Sequence, residues 1–427
     1  MEVLESKWKS CGSVLEASVR VLLKFPLCDR CLGRLFARLG RGLDNSERGR
    51  AIKTLLAMLL SEELLSKEEL EVLAVNGGLP VHAPPGGEVR QCYVCRSELD
   101  RVIVELGEKA VRRLREVGFE VTGFLVGVKT GSEFEKRERE VIGLLGLDTW
   151  ESVRREVKRV VGKYISKELS IPPDFINPDV LVIVDLVSRD VYLKPLPLLL
   201  RGRYVKIGRY VSQLPWYRRN GSRKYKLSIH DICAEFSKIF GGEDFVLHAA
   251  GREDADARML GDGRPVAIEI KNPTRRSFSS ARSQSVELPP WIRVEVSGRT
   301  TREYVREIKS RSARKTYRVV VFVAEGLTEK DISKISSLSN TVVHQRTPTR
   351  VLRRRRKDVA RRRRVYDIAL NVLSKYLLEV LVSTDGGLYV KEFISGDGGR
   401  TTPSFSEVIG KSAEAVLLDV VKVESML

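Results

Sequence analysis

The chain has no apolar run long enough to cross a membrane: the longest, Val180 to Val187, is interrupted by Asp185 and reads as a buried strand. Residues 1–13 mix Glu2, Glu5, Lys7 and Lys9 before any apolar stretch, unlike a secretory leader, so a cytoplasmic protein is expected. Cysteine is scarce. Six in 427 residues are too few for a disulfide scaffold. No internal repeat is present, and no glycine-rich cofactor loop follows a predicted strand, which disfavours a methyltransferase. Negative charge is also short, since 56 acidic residues against 75 basic ones leave a net charge of +19 and a pI near 9.7. That excess in a chain without a membrane span points to a polyanionic partner. The length and the 42% hydrophobic content suit two or three domains with buried cores.

Four of the cysteines form two Cys-x-x-Cys pairs, Cys28 with Cys31 and Cys92 with Cys95. Two-residue spacing lets both thiolates of a pair face one ion, so the pairs predict a closed structural zinc site. Neither pair lies in the strand-helix context of a redox motif. Between them Ile52, Leu55, Leu56, Leu59 and Leu60 recur at helical spacing, and Ser66 with Glu69 reads as a capping box for a helix ending at Asn76-Gly77-Gly78. Further on, Val102 to Leu106 reads as a strand, Lys109 to Val117 as a helix, Glu120 to Val128 as a strand, and Trp150 to Leu169 as a long basic helix. The segment Phe124 to Val128, that helix and the strand from Val180 resemble, in this order, a THUMP domain, an RNA-binding module of tRNA-modifying enzymes.

A boundary is expected between Ser188 and Pro197, giving an N-terminal RNA-binding region over 1–187 and a catalytic domain over 188–427. Beyond it, Arg201 to Lys226 interleaves basic residues with Tyr204, Tyr210, Trp216, Tyr217 and Tyr225, a pattern suited to phosphates and splayed bases. The stretch Gly251-Arg-Glu-Asp-Ala-Asp-Ala-Arg-Met259, if extended, puts Arg252, Asp254, Asp256 and Arg258 on one face. Two carboxylates held between two arginines would make a poised site. Gly261-Asp262-Gly263 then reads as a tight turn, and Pro265 to Ile270 as a strand with Val266, Ile268 and Ile270 on one face. Arg350 to Arg364 carries nine arginines, one lysine and one aspartate and reads as a solvated arm or polyanion clamp with a steep salt dependence. Tyr366 to Val380 reads as helical, Leu378 to Ser383 and Leu388 to Ile394 as a hairpin, and Ser412 to Leu418 as a helix. The alternation of strands and helices predicts an α+β domain around a mixed, largely antiparallel sheet.

Five motifs carry a wider resemblance: the paired Cys-x-x-Cys knuckles, Gly251 to Pro265, Arg-Lys-Thr-Tyr-Arg at Arg314 to Arg318, Gln-Arg-Thr-Pro-Thr-Arg-Val from Gln345, and Tyr-Val-Lys-Glu-Phe through Thr401. In this order and over nearly the full length, the chain resembles the archaeal and eukaryotic THUMP-containing tRNA pseudouridine synthases that act on uridines 54 and 55 of the TΨC arm. The broader superfamily reads Gly-Arg-Thr-Asp-x-Gly-Val-His, whereas this chain has Glu253 in place of threonine and lacks the continuation, leaving Asp256 as a rival to Asp254. The resemblance implies that Asp254 is the catalytic aspartate, that Tyr317 lies against the target base, and that Lys391 pairs with the carboxylate. It also implies that Val390 and Leu418 line the uracil pocket, that Arg252 and Arg400 contact the substrate, and that Arg353 to Arg356 (Arg353, Arg354, Arg355, Arg356) and Arg361, Arg362, Arg363 and Arg364 grip the RNA. The implied enzyme needs no catalytic metal or small-molecule cosubstrate, carries structural zinc on Cys28, Cys31, Cys92 and Cys95, and acts as a monomer on tRNA.

Two rivals stand beside it. Asp254 or Asp256 with Glu269-Ile270-Lys271 reproduces the carboxylate and Glu-x-Lys arrangement of metal-dependent nucleases. The other rival is a non-catalytic tRNA-binding protein, in which Asp254 would be dispensable.

Overall fold

In the computed structural model, which describes residues 14–60, 67–79, 90–277, 284–287, 291–310, 313–352 and 357–424, buried apolar side chains gather in two main cores. They belong to two units, Met1–Leu196 and Pro197–Leu427. Arg353 to Arg356 and Ser66, named above, lie outside the described residues.

The first unit begins with four helices, α1 (Val14–Lys24), α2 (Asp29–Leu35), α3 (Asn45–Leu60) and α4 (Lys67–Gly77). Then follow α5 (Leu99–Arg115), β1 (Phe124–Lys129), α6 (Ser132–Leu145), α7 (Val153–Leu169), β2 (Val180–Asp185) and β3 (Asp190–Pro195). Strands β1 and β2 pair in parallel, and β2 pairs with β3 antiparallel. The unit therefore runs through Leu196 and includes β3. Val102 to Leu106 is not a strand but the start of α5: Val102, Ile103, Leu106, Ala110, Val111 and Leu114 are buried at helical spacing, and this stripe outweighs the β-branched run. Helix α7 follows the same rule, burying Val153, Val157, Val161 and Ile165 behind the Ser152 cap.

The second unit comprises β4 (Leu198–Lys206), α8 (Ile229–Ile239), β5 (Asp244–Ala249), β6 (Arg258–Lys271), β7 (Gln284–Glu287), β8 (Ile292–Arg299) and α9 (Arg302–Ser310). It continues with β9 (Lys315–Val323), α10 (Glu329–Ser336), β10 (Val342–Gln345), α11 (Thr349–Leu352), β11 (Arg361–Ser374) and β12 (Leu377–Thr384). Helix α12 (Val390–Ser395), β13 (Thr401–Thr402), α13 (Phe405–Ile409) and β14 (Ala413–Val423) complete it. An 11-stranded mixed sheet runs β13-β10-β11-β12-β9-β14-β6-β4-β8-β7, with β5 also on β6. Its pairings are antiparallel except β14 with β6. The expected α+β architecture with a largely antiparallel sheet is what is found.

Several local expectations are corrected. Gly261-Asp262-Gly263 does not turn the chain; it is a bulge inside β6, with φ of 57° at Gly261 and 77° at Gly263 and a register shift opposite Tyr204 and Lys206. Added Cβ atoms would lie 2.1 Å from the Val421 carbonyl oxygen and 2.6 Å from that of Tyr204, so glycine lets β14 and β4 close in. Tyr366 to Val380 is not helical. Long β11 and β12 pair there, and Leu378, Val380 and Val382 alternate into the core. Leu388 to Ile394 is not a second hairpin strand, because Gln345 fixes the backbone at Tyr389 and starts α12. Ser412 to Leu418 is not helical; β14 is held by β9 along one edge and meets β6 on the other. Arg361 to Arg364 do not form a free arm, because their backbone pairs with Gln345 to Val342 in β10.

Candidate active site

The loop from Ala250 to Ala257, between β5 and β6, is built on a buried acid. Glu253 accepts hydrogen bonds from the Tyr204 hydroxyl at 2.7 Å and Arg264 Nε at 2.9 Å, and pairs with Lys206 Nζ at 3.4 Å. Burial opposes ionisation of Glu253, but Arg264 and Lys206 outweigh it and hold its carboxyl below the usual range. Lys206, itself fully buried, also donates to the carbonyls of Val211, Asp254 and Ala255 at 2.9, 3.2 and 3.4 Å. Arg209 donates to the carbonyl of Asp256 at 2.7 Å. The loop backbone is thereby fixed from below, with Glu253 inward and Asp254 outward.

Asp254 and Asp256 are not held between Arg252 and Arg258. The residues turn rather than extend, the Ala257 N–H donating to the Asp254 carbonyl at 3.1 Å. Arg258 is drawn away to Asp419, at 2.8 and 2.6 Å, and Arg252 lies 5.9 Å over the Trp216 ring. The cations come from elsewhere. Arg350 places Nη1 3.3 Å from Oδ1 and Nη2 3.1 Å from Oδ2 of Asp254, while its Nε reaches the buried Glu392 at 2.6 Å. Lys391 Nζ lies 2.6 Å from Asp256 Oδ2 and 3.7 Å from Asp254 Oδ2. Burial works against ionised Asp256, yet its hydrogen bond and attraction to Lys391, joined by Arg350, keep its carboxyl below the usual range. Asp254 is thus held in a bidentate grip while 39% of its side chain stays exposed.

Arg350 was not singled out as a partner of Asp254 by sequence, although it stands in the Gln345 motif; the arginine run that follows masked it. Gln345 carries the same motif into the fold. Its amide donates to the Tyr389 carbonyl at 3.0 Å and Thr401 Oγ1 at 3.1 Å and accepts from the Tyr389 N–H at 2.8 Å, which sets the start of α12 and hence Lys391.

Tyr317 is buried on β9, opposite Val382 of β12 and Val420 of β14. Burial pushes its hydroxyl up to about 12, with Glu253 and Asp254 adding to the rise and Arg264 opposing it. Leu418 lies opposite Val319 on the adjacent strand and, like Val390 on α12, is buried. Arg400 is committed elsewhere, donating to the Thr347 carbonyl at 3.2 and 3.0 Å and pairing with Asp358 at 2.7 Å. Of the arginine segment, Arg361 lies over the Tyr389 ring and Arg364 donates to Asn340, while Arg362 is exposed on β11.

The nuclease arrangement does not assemble. Glu269 accepts from Arg302 and His248 at 2.7 and 2.9 Å, and Lys271 pairs with Asp244 at 2.7 Å. Asp254 belongs to a different cluster.

In the first unit, Cys28 precedes α2, Cys31 lies in its first turn, and Cys92 and Cys95 flank a turn held by a 3.0 Å bond from the Cys92 N–H to Ser97 Oγ. The four Sγ atoms lie within 4.8 Å of one another, and Cys31, Cys92 and Cys95 are buried, a group that could hold a metal ion. Cys233 is buried apart from them in the second unit's core.

Residues 199–424 match the family model "Pus10, C-terminal", and residues 106–185 match "Pus10 THUMP domain, archaeal". The tRNA pseudouridine synthase Pus10 of Ignisphaera aggregans is 36% identical over 436 aligned residues, covering 97% of this chain and 100% of its own. That of Aeropyrum pernix is 38% identical, covering 96% and 97%. A crystal structure of a Cbf5-Nop10-Gar1 complex aligns with 52% of this chain and 48% of its own at a TM-score of 0.31 and 15% identity.

Proposed function

Because the chain belongs to the Pus10 family of tRNA pseudouridine synthases, we propose that it isomerises uridine 54, uridine 55 or both in the TΨC arm, with Asp254 as the catalytic carboxylate. The observation that carries this reading is the bidentate hold of Arg350 on Asp254, with Lys391 beside it and Tyr317 buried on the neighbouring strand. A carboxylate can serve as nucleophile or base. The reaction breaks the C1′–N1 bond of the target uridine, turns the uracil and forms a C1′–C5 bond; C5 gives up a proton and N1 gains one, so atoms balance without an oxidant or second substrate. Arg350 and Lys391 keep the carboxylate oriented, while Asp256, held closer to Lys391, acts as the secondary partner.

Extruding the base costs a few kcal/mol, and one aromatic contact returns about 1–3 kcal/mol, so Tyr317 offsets much of that penalty. Val390 and Leu418 line the uracil pocket, Arg252 steadies the substrate, and Arg400, tied to Thr347 and Asp358, holds the backbone next to the Gln345 motif. Arg361 to Arg364, together with the basic segment before them, bind tRNA phosphates. The 1–196 unit positions the tRNA, and the enzyme acts as a cytoplasmic monomer. Four thiolate-forming side chains gathered around one point fit a tetrahedral zinc ion and would hold it as a structural centre, with no part in the chemistry.

The test is base-resolved mapping of pseudouridine in an unmodified tRNA transcript with wild type and Asp254→Ala, in EDTA. Product at the TΨC-arm uridines with wild type, none with the variant and unchanged tRNA binding are expected. Product with Asp254→Ala would refute the assignment, and product confined to other positions would refute the target.

A further inference from the structure

Beside the Asp254 loop lies a cation that nothing above uses. Lys315 opens β9, two residues before Tyr317 on the same face of the strand, and is 9% exposed. Among the described residues its ammonium makes no hydrogen bond or ion pair. Its charged neighbours are Arg264 from β6 and Glu253 from the loop. Glu253 is already shared between Arg264 and Lys206, so three buried cations face one buried carboxylate. Buried charge without a partner is expensive, and such a cation beside a candidate catalytic loop is where an incoming anion would be stabilised. Burial pushes the Lys315 amine down to about 8, with the Arg264 charge adding to the effect and Glu253 opposing it.

The backbone beside the ammonium is glycine. Gly251 is exposed with φ of 87°, and a Cβ added there would stand 2.8 Å from Lys315 Nζ and 3.3 Å from Arg264 Nη1. Any side chain at this position would lie across the two cations; glycine leaves a window onto them, three residues before Asp254. The adjoining Arg252 is exposed at the same rim.

We propose that Lys315, with Arg264 behind it, is an anion site behind the Gly251 window that takes a backbone phosphate of the RNA strand presenting its uridine to Asp254. The site rests on the reading of the Asp254 cleft as the place where substrate binds. A phosphodiester supplies the missing negative charge, and because it adjoins the target nucleotide it helps hold the strand while the base is extruded.

The test is binding of the full chain to an unmodified tRNA transcript across a range of salt concentrations. Each phosphate contact contributes about 0.7–0.9 to the slope of log affinity against log salt. Lys315→Met is expected to weaken binding about tenfold and to lower the slope by about that single-contact amount, whereas Lys315→Arg retains it. Neutral methylphosphonate linkages placed one at a time around the target uridine should reveal one linkage at which wild type and Lys315→Met bind alike. A Lys315→Met slope equal to wild type, or equal losses for Lys315→Met at every linkage, overturns the proposal. The readout is separate from catalysis: Asp254→Ala that still makes pseudouridine refutes the catalytic reading and leaves the slope result to speak for the phosphate site alone.

Discussion

Replacing Lys315 by methionine removes an ammonium while keeping an unbranched stem of similar length, and the structure gives the effect a sign opposite to that of most core substitutions. The folded protein holds this amine at about 8 against an ordinary value of 10.5, because burial and Arg264 disfavour its charge. This lowering corresponds to about 3 kcal/mol of destabilisation at neutral pH. Below about 8 the amine is protonated in both folded and unfolded chains, so the penalty is felt in full. Between that value and 10.5 the unfolded chain binds more protons, wild-type stability rises with pH, and the penalty disappears. Lys315→Met should therefore be more stable than wild type by up to about 3 kcal/mol at pH 7, the difference closing as pH rises toward that of free lysine. Denaturant-dependent amide exchange in β6 and β9 reports this unit apart from the other, which a single global transition would not. A variant less stable than wild type at pH 7, or a difference that does not change with pH, would refute the reasoning. A gain in stability accompanied by weaker tRNA binding is the signature of a charge kept for function.

Glu253→Gln leaves Lys206, Arg264 and Lys315 buried without a carboxylate and should destabilise the second unit by about 3–5 kcal/mol in denaturant titration; a loss below about 1 kcal/mol would mean that the cations find other partners. Arg350→Met releases Asp254 while Lys391 remains, and should lower kcat by about 10²-fold with little change in KM in single-site pseudouridylation assays; a change in KM alone would make Arg350 a tRNA contact. Cys92→Ser, or a strong zinc chelator, should release one zinc per chain by mass spectrometry and expose the amides of α2 and α5 while those of β6 and β9 stay protected. A zinc ion bound there would contribute on the order of 10 kcal/mol.

The two Cys-x-x-Cys pairs and the motifs around Asp254, Tyr317 and Lys391 were legible because each is a local run of residues whose spacing or order carries information. Lys391 was expected beside the carboxylate, but Arg350 was not: it stands 96 residues from Asp254, and the α12 that carries Lys391 starts where Gln345 reaches Tyr389 across 44 residues. Local patterning failed at the C-terminal strands for a related reason. The stretch from Tyr366 to Val380 spaces its apolar residues irregularly because β11 is bulged, with register shifts at Val365/Asp367 and Val372/Ser374, so period-two alternation is broken where the sheet bends. Strand β14 carries two such shifts, at Ala415/Leu417 and Val420/Lys422, and imitates a helix in the same way. At α5 the opposite holds: the β-branched run Val102 to Leu106 has the local look of a strand but sits inside a longer helical stripe.

The departure of this chain from the broader superfamily at Glu253 follows from the same buried charges. A threonine there could accept hydrogen bonds but could not neutralise Arg264 and Lys206, both essentially sealed from solvent. With glutamate, one side chain neutralises the cations, receives the Tyr204 hydroxyl and pins the loop so that the next residue, Asp254, faces outward. Glu253, standing where the broader superfamily has threonine, is in this geometry the support on which the Asp254 loop rests. Lys206 extends that support by gripping the carbonyls of Asp254 and Ala255, so the position of the exposed carboxylate is set by charges that never meet the solvent. Loosening the buried pair would displace Asp254 without removing any atom from it. The loop sequence and the charges beneath it therefore have to change together, and Glu253 is intelligible only beside Lys206 and Arg264.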